Sequence, residues 1–175
     1  MLNQVKQYCQ ILKRAQIGKN CLIGHNCFIE SRGKIGNGVK LKSNIDIWDL
    51  VTLEDYVFVG SSAVFLNDKN PRAKYPKKEY PQYGKWLPTL VRKGATIGAN
   101  ATILPGLTIG KWAMVGAGAT VTEDVPDYAI IIGSPAKIVD WICECGQKLI
   151  FKKNRAICNK CKRKYKKEKN KIFSL

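Results

Sequence analysis

The stretch from Ile17 to Phe65, IGKNCLIGHNCFIESRGKIGNGVKLKSNIDIWDLVTLEDYVFVGSSAVF, repeats one spacing throughout. Every sixth residue is apolar, and the same spacing returns from Val91 to Val121. A period of six is neither the 3.6 of a helix nor the 2 of a simple strand. It fits a short strand followed by a corner and another short strand, and three such units close a triangular coil of about 18 residues. The apolar sixth residues, which we call anchors, point inwards and stack from coil to coil at strand spacing. The sequence therefore predicts an all-β parallel solenoid.

Glycine often follows directly after these apolar anchors, as at Gly18, Gly60, Gly98 and Gly116. We attribute these glycines to tight turns at the corners of the coil, where the backbone needs conformations that other residues avoid.

The repeat is interrupted over residues 66–90, which contain four of the seven prolines and four aromatic residues. A long insertion in a solenoid projects from one face and is often functional. One coil is about 18 residues, so we expect Asn67 to stack above Asp49 at one corner, beside the projecting loop. Asn and Asp at a corner can also simply form turns, and this alternative stays open.

The charge of +17 is concentrated near the C-terminus. Residues 148–175 contain 12 basic residues and one acid, giving +11, whereas residues 1–147 contain 18 basic and 12 acidic residues, giving +6. We predict a solenoid domain at 1–142 and a basic tail at 143–175. The sequence has no apolar run of membrane-spanning length and no secretion signal at its N-terminus, so we expect a cytoplasmic protein.

Four cysteines in the tail, Cys143, Cys145, Cys158 and Cys161, form the pattern C-x-C-G…C-x-x-C. Two thiol pairs joined by a short hairpin can enclose a tetrahedral zinc ion, so we predict a structural zinc ribbon. The first pair is one residue tighter than the usual knuckle, and four reduced thiols in a frayed tail are the alternative.

Three segments, 51–73, 89–110 and 112–146, resemble the hexapeptide-repeat N-acetyltransferases of nucleotide-linked 3-amino sugars. The phrase F-x-N-x-x-N-P-R at 65–72 is the most specific of their motifs, and G-S-P-A-K at 133–137 is shared more widely. The resemblance implies a left-handed parallel β-helix, a homotrimer with active sites between subunits, and acetyl-CoA as cosubstrate. It implies N-acetylation of a UDP- or dTDP-linked 3-amino sugar, in surface polysaccharide biosynthesis.

The same resemblance suggests roles for individual residues. Asn67 matches the catalytic asparagine that holds the sugar near its amine. From the chemistry of the reaction, the departing thiolate can accept the proton, and Asp49 is a weaker candidate for the same task. Arg72 is a candidate ligand for the nucleotide phosphates or a sugar carboxylate. The residues assigned to coenzyme A are the motif residues Ser134 and Lys137, and backbone N–H groups around Gly98 and Gly116.

The chain has one histidine, His25, which lies more than two coils below Asn67 in the repeat. A hydroxyl nucleophile needs a base to remove its proton, whereas a neutral amine attacks a thioester unaided. The sequence therefore favours an amine acceptor. One histidine also cannot supply the three zinc ligands of a β-helix carbonic anhydrase.

Other functions remain open from the sequence. A zinc ribbon with basic flanks can bind nucleic acid, although the tail lacks a pattern of base-reading residues, and no nucleic acid is expected. Contact with an anionic membrane surface, a scaffold role, or another acyl acceptor are further alternatives. The sequence does not distinguish UDP from dTDP, identify the amino sugar or its carboxylate, or fix the acyl donor.

Overall fold

The computed structural model describes residues 2–73, 79, 85–169 and 171–175. These residues form 22 strands and no helix. The strands of the solenoid run along three faces and pair in parallel from coil to coil, and no helix suited to crossing a membrane occurs in the described ranges. The predicted all-β parallel solenoid is thus confirmed.

The first face is the longest sheet. It consists of β1 (Gln4–Val5), β4 (Leu22–Ile23), β7 (Lys40–Leu41), β10 (Phe58–Val59), β13 (Thr96–Ile97), β16 (Met114–Val115), β18 (Ala129–Gly133) and β19 (Ala136–Trp141). The last two strands pair antiparallel, so the chain reverses direction at the end of the solenoid.

The second face is one five-stranded parallel sheet. It consists of β3 (Gln16–Ile17), β6 (Lys34–Ile35), β9 (Val51–Leu53), β12 (Thr89–Val91) and β15 (Thr108–Ile109). Thr89–Val91 pairs directly with Val51–Leu53, so the inserted segment leaves the coil and returns without disturbing this face.

The third face is divided into two sheets. The lower sheet contains β2 (Gln10–Ile11), β5 (Phe28–Ile29) and β8 (Asp46–Ile47), and the upper sheet contains β11 (Val64–Phe65), β14 (Thr102–Ile103) and β17 (Thr120–Val121). The ladder is interrupted between β8 and β11. This break lies at the coil from which residues 66–90 leave.

The predicted anchors form the core. From Ile23 to Phe65 and from Val91 to Val121, every anchor is at least nine-tenths buried. The repeat also begins earlier than predicted, because Val5 and Ile11 continue the six-residue spacing in β1 and β2. These two residues are partly exposed because the first coil has no coil beneath it.

The explanation of the glycines after the anchors as turn residues is wrong. The left-handed backbone conformation occurs three residues after an anchor, as at Asn20, Gly38, Asn100 and Gly118, and not at the glycines directly after the anchors. Those glycines are required for space: a Cβ on Gly98 would lie 2.4 Å from the backbone nitrogen of Ala117 in the next coil. Close approach between coils, and not torsion, selects them.

This distinction predicts opposite outcomes at two corner glycines. Gly98→Ala is expected to lower the free energy of unfolding by about 1–3 kcal/mol or more, because the added methyl overlaps backbone that cannot move away. Gly118→Asn is expected to change it by less than about 0.5 kcal/mol, since a Cβ there has no neighbour within 4 Å and Asn100 already adopts this conformation one coil below. Urea titration measures both; equal losses would contradict the assignment.

The C-terminal residues form a small antiparallel sheet of β20 (Arg155–Ile157), β21 (Lys164–Glu168) and β22 (Lys171–Ser174). The predicted hairpin before Cys158 is present as a tight turn at Lys152–Arg155. The lysine-rich residues after Cys161 form β21 and β22, two strands that the sequence analysis did not anticipate.

The sheet packs against the end of the solenoid. The ring of Tyr165, fully buried, meets Tyr128 edge-on at 5.3 Å between centroids. Lys167 lies over Trp141 at 5.1 Å. An open solenoid end exposes apolar residues and unpaired strand groups, so this sheet serves as a cap.

Candidate functional site

The interruption of the third face brings Asn67 to a half-buried position at the exit of the inserted segment. Its carbonyl accepts the N–H of Leu87 at 2.9 Å, which joins the two ends of the segment. Its side-chain amide makes no hydrogen bond to any of the described residues. The amide is therefore held in place by its backbone while its own donor and acceptor stay available.

Asp49 is buried at the equivalent position one coil below Asn67, two residues after the anchor Ile47, and both of its carboxylate oxygens accept hydrogen bonds. One oxygen accepts the backbone N–H of Arg32 at 2.7 Å and the other accepts the Nε of Arg32 at 2.8 Å. The N–H of Asp49 donates to Glu30 at 2.7 Å. This geometry favours Asp49 as a residue that positions Arg32, and it weakens the proposal that Asp49 accepts a proton.

The inserted segment is described only in part. Arg72 is exposed, and its guanidinium donates to the carbonyl of Pro71 at 2.8 Å. The aromatic residues Tyr75, Tyr80 and Tyr83 lie outside the described residues. Trp86 is described, and its ring lies 5.6 Å from the Arg32 guanidinium carbon.

The G-S-P-A-K motif forms the turn between β18 and β19, which the sequence did not predict to be a hairpin. The Ser134 hydroxyl donates to the Thr120 hydroxyl at 2.9 Å, and the Ser134–Pro135 bond is cis. Lys137 is exposed and lies 3.2 Å from Glu123. An ion pair this exposed contributes little, so Lys137 can exchange Glu123 for a phosphate at small cost.

The N–H groups of Gly98 and Gly116 are not available to a ligand. They donate to the carbonyls of Val115 and Ile131, each at 2.8 Å. The next residues, Ala99 and Ala117, donate to no acceptor among the described residues, so the available N–H groups on this corner are one position further along than predicted.

The four tail cysteines converge on one point. Their sulfur atoms all lie within 4.8 Å of one another, and the neighbouring pairs Cys143–Cys161, Cys143–Cys145 and Cys145–Cys158 are separated by 3.4, 3.5 and 3.5 Å. Sulfurs about 2.3 Å from a tetrahedral zinc are about 3.8 Å apart. The donor set therefore fits zinc.

The surroundings of the thiols resemble an outer shell for a metal. The Tyr165 hydroxyl lies 3.1 Å from the Cys143 sulfur. Burial raises the pKa of the Cys143 thiol to about 12, whereas the backbone N–H of Arg163 lowers the pKa of Cys161 to about 6. The backbone N–H groups of Cys161 and Lys160 likewise lower the pKa of the Cys158 thiol. Such N–H donors stabilise thiolates, the form that binds metal.

Two parts of the chain match known repeat families. Residues 88–123 match the family described as bacterial transferase hexapeptide (six repeats), and residues 14–47 match the hexapeptide repeat of succinyl-transferase.

Curated relatives match over shorter regions. Over 78 residues, 45% of this chain and 40% of the relative, the chain is 53% identical to the dTDP-3-amino-3,6-dideoxy-alpha-D-galactopyranose 3-N-acetyltransferase of Aneurinibacillus thermoaerophilus. Over 52 residues, 30% of this chain and 22% of the relative, it is 50% identical to the 2,3,4,5-tetrahydropyridine-2,6-dicarboxylate N-acetyltransferase of Staphylococcus aureus. The matches thus span less than half of each relative's length.

Among solved structures, a mutant of AntD, an N-acyltransferase from Bacillus cereus in complex with dTDP and coenzyme A, superposes with a TM-score of 0.67 at 21% identity. The match covers 80% of this chain and 82% of that chain, and it shows a shared fold. The chain therefore carries the hexapeptide repeats of bacterial transferases, and the predicted resemblance to nucleotide-sugar N-acetyltransferases is confirmed.

Proposed function

We propose that this protein transfers an acetyl group from acetyl-CoA to the 3-amino group of a UDP- or dTDP-linked sugar. The observation that carries the proposal is the 53% identity over 78 residues to a dTDP-3-amino-sugar 3-N-acetyltransferase. It is supported by the half-buried asparagine beside the inserted segment. The reaction fits cytoplasmic supply of both substrates and would serve surface polysaccharide synthesis.

In this mechanism the neutral amine attacks the thioester carbonyl, a C–N bond forms, and the C–S bond then breaks. The amine loses one proton, which the departing thiolate accepts, so no separate base is needed. The Asn67 side-chain oxygen accepts an N–H of the amine and directs its lone pair towards the acetyl carbon. Positioning of this kind contributes most when the reacting atoms are held in contact.

The assembly is proposed on the same grounds. We infer a left-handed β-helix that forms a homotrimer, with acetyl-CoA in the groove between neighbouring subunits. The N–H groups of Ala99 and Ala117 are suited to the amide oxygens of its pantetheine arm, and Lys137 with Ser134 to its phosphates. Arg72 remains a candidate for the nucleotide phosphates or a sugar carboxylate.

The C-terminal cap is proposed to be a zinc ribbon, with one ion held by Cys143, Cys145, Cys158 and Cys161. It begins where the solenoid domain of residues 1–142 ends. The convergence of four sulfur atoms and the N–H groups directed at two of them support this assignment. The metal would be structural, because four protein ligands leave no open position for a substrate.

Thiol release from acetyl-CoA tests the proposed activity. The acceptors are UDP- and dTDP-linked 3-amino sugars, with 4-amino and 3-hydroxyl analogues as controls. We expect release only with 3-amino acceptors, and turnover confined to a hydroxyl analogue would overturn the mechanism.

Another amine acceptor is the second candidate, since the Staphylococcus aureus relative is named for acetylating a tetrahydropyridine dicarboxylate. Including that compound in the panel distinguishes the two. No thiol release with any acceptor, together with DNA binding at physiological salt, would favour the non-enzymatic alternative.

A further inference from the structure

A groove with a volume of ≈ 500 Å³ opens on the second face, at the base of the inserted segment. Its lining includes Arg14, Arg32, Lys34, Leu50, Thr52 and Pro88. Three of these side chains are cations, and the described lining residues include no acid. Neither the repeat pattern nor the family motifs drew attention to this groove.

The solenoid aligns the groove residues in two rows. Lys34 pairs in register with Gln16 below and Thr52 above, so these outward side chains stack at strand spacing, about 4.8 Å. Arg14 and Arg32 occupy equivalent positions in successive coils, two residues before Gln16 and Lys34. Two arginines and a lysine are thereby gathered on one edge.

Arg32 lines the groove, and two neighbouring side chains orient its guanidinium. Its Nε donates to Asp49 at 2.8 Å, and its guanidinium lies over the ring of Trp86. Asp49 and Trp86 thus fix the plane of the guanidinium from two sides. The two terminal nitrogens donate to no acceptor among the residues that the structure describes, and a planar fork of this kind matches phosphate oxygens.

The upper part of the groove is apolar and leads to the proposed site of acetylation. Leu50 and Pro88 line it, and the N–H of Thr89 donates to the carbonyl of Leu50 at 3.1 Å. The backbone N–H of Leu87, the residue before Pro88, donates to the backbone carbonyl of Asn67. A ligand in the groove therefore lies beside the corner at which Asn67 presents its amide.

We propose that this groove binds the nucleoside diphosphate of the sugar substrate, with Arg14, Arg32 and Lys34 contacting the diphosphate. Leu50 and Pro88 form the apolar surface beside it, suited to a base, and the Trp86 ring packs against Arg32. This inference rests on the proposed function and adds to it a location for the nucleotide. Coenzyme A also contains a nucleoside diphosphate, so the experiment separates the two sources.

The test measures binding of dTDP, UDP and coenzyme A to the intact protein by isothermal titration calorimetry. In the Arg14→Ala/Lys34→Ala double variant we expect the Kd for dTDP or UDP to rise about tenfold or more, with coenzyme A affinity unchanged. Arg32 is left in place because its loss would leave the buried Asp49 carboxylate without its ion-pair partner. Lys40→Ala is the matched control: this lysine occupies the same outward position on the next strand of the same coil, on the first face, and should leave all three affinities unchanged.

The outcomes test nucleotide binding in the groove separately from acetyl transfer. Unchanged dTDP and UDP affinity in the double variant, no binding by the wild type, or competition between coenzyme A and dTDP for one site would each overturn the groove assignment. If the double variant weakens dTDP binding but no amine acceptor is acetylated, the groove stands and the proposed function fails. If the double variant transfers acetyl groups with an unchanged KM for the sugar nucleotide, the proposed function is supported and the groove is not the nucleotide site.

Discussion

Replacing Asn67 with alanine is expected to lower kcat/KM for the amino-sugar acceptor by about 10²-fold. The variant keeps the backbone carbonyl that accepts the N–H of Leu87, so the inserted segment stays anchored. What is lost is the side-chain amide that orients the amine, and a misplacement of about 1 Å at a reacting atom costs about this much. Steady-state thiol release with saturating acetyl-CoA measures the effect.

The control for this variant is Val64→Ala, which removes a partly exposed side chain from the strand directly before the corner. We expect it to leave kcat/KM within about twofold, since surface truncation has little effect on stability or position. The KM for acetyl-CoA should be the same in both variants. Full activity of Asn67→Ala would remove the residue from the mechanism.

Replacing Cys158 and Cys161 together with serine is expected to abolish zinc binding and to make the C-terminal sheet unfold at a lower temperature than the solenoid. Structural zinc contributes about 10–16 kcal/mol of apparent binding free energy in small zinc domains, far more than a three-stranded sheet of this size supplies alone. Elemental analysis should show one zinc per chain in the wild type, purified without chelator, and none in the variant. Thermal unfolding should gain an early transition at the cap.

Cys9→Ser provides the matched thiol control. Cys9 is half-buried outside the ribbon, and its sulfur contacts the carbonyl of Gly24 at 2.8 Å. Its replacement should leave the zinc content unchanged. A metal-free wild type, or a double serine variant that unfolds in one transition like the wild type, would show that the four thiols hold no ion and that the cap is stabilised by packing.

The fold was largely predictable because its energetics are repeated. Each coil buries the same three anchors, so one spacing rule reports on every turn of the solenoid. The first coil was missed since Val5 and Ile11 stand among charged residues, although they keep the spacing. The strands after Cys161 were missed for another reason: their lysines are exposed, and their stability depends on Tyr165 packing against Tyr128, a contact that no local pattern reveals.

The site was less predictable because it depends on residues distant in sequence. The clustering of Cys143, Cys145, Cys158 and Cys161 was predicted from their spacing, which is typical of paired metal-binding thiols. The pairing of Asp49 with Arg32 was not found, because it joins successive coils through the side chain of a corner residue. The N–H groups of Gly98 and Gly116 themselves are paired in the ladder, whereas those of Ala99 and Ala117 find no acceptor among the described residues, a difference that depends on the chain path and not on residue type.

The two kinds of corner position also bear on how such chains should be aligned. The glycine directly after an anchor is fixed by close contact with the next coil, whereas the position two residues later holds several residue types, among them Gly118, Asn100 and Tyr56. An alignment that scores both glycines equally can reward a two-residue shift at the corners, although such a shift takes the apolar anchors out of register. Weighting the first heavily and treating the second as interchangeable would keep distant repeat sequences in phase, coil for coil.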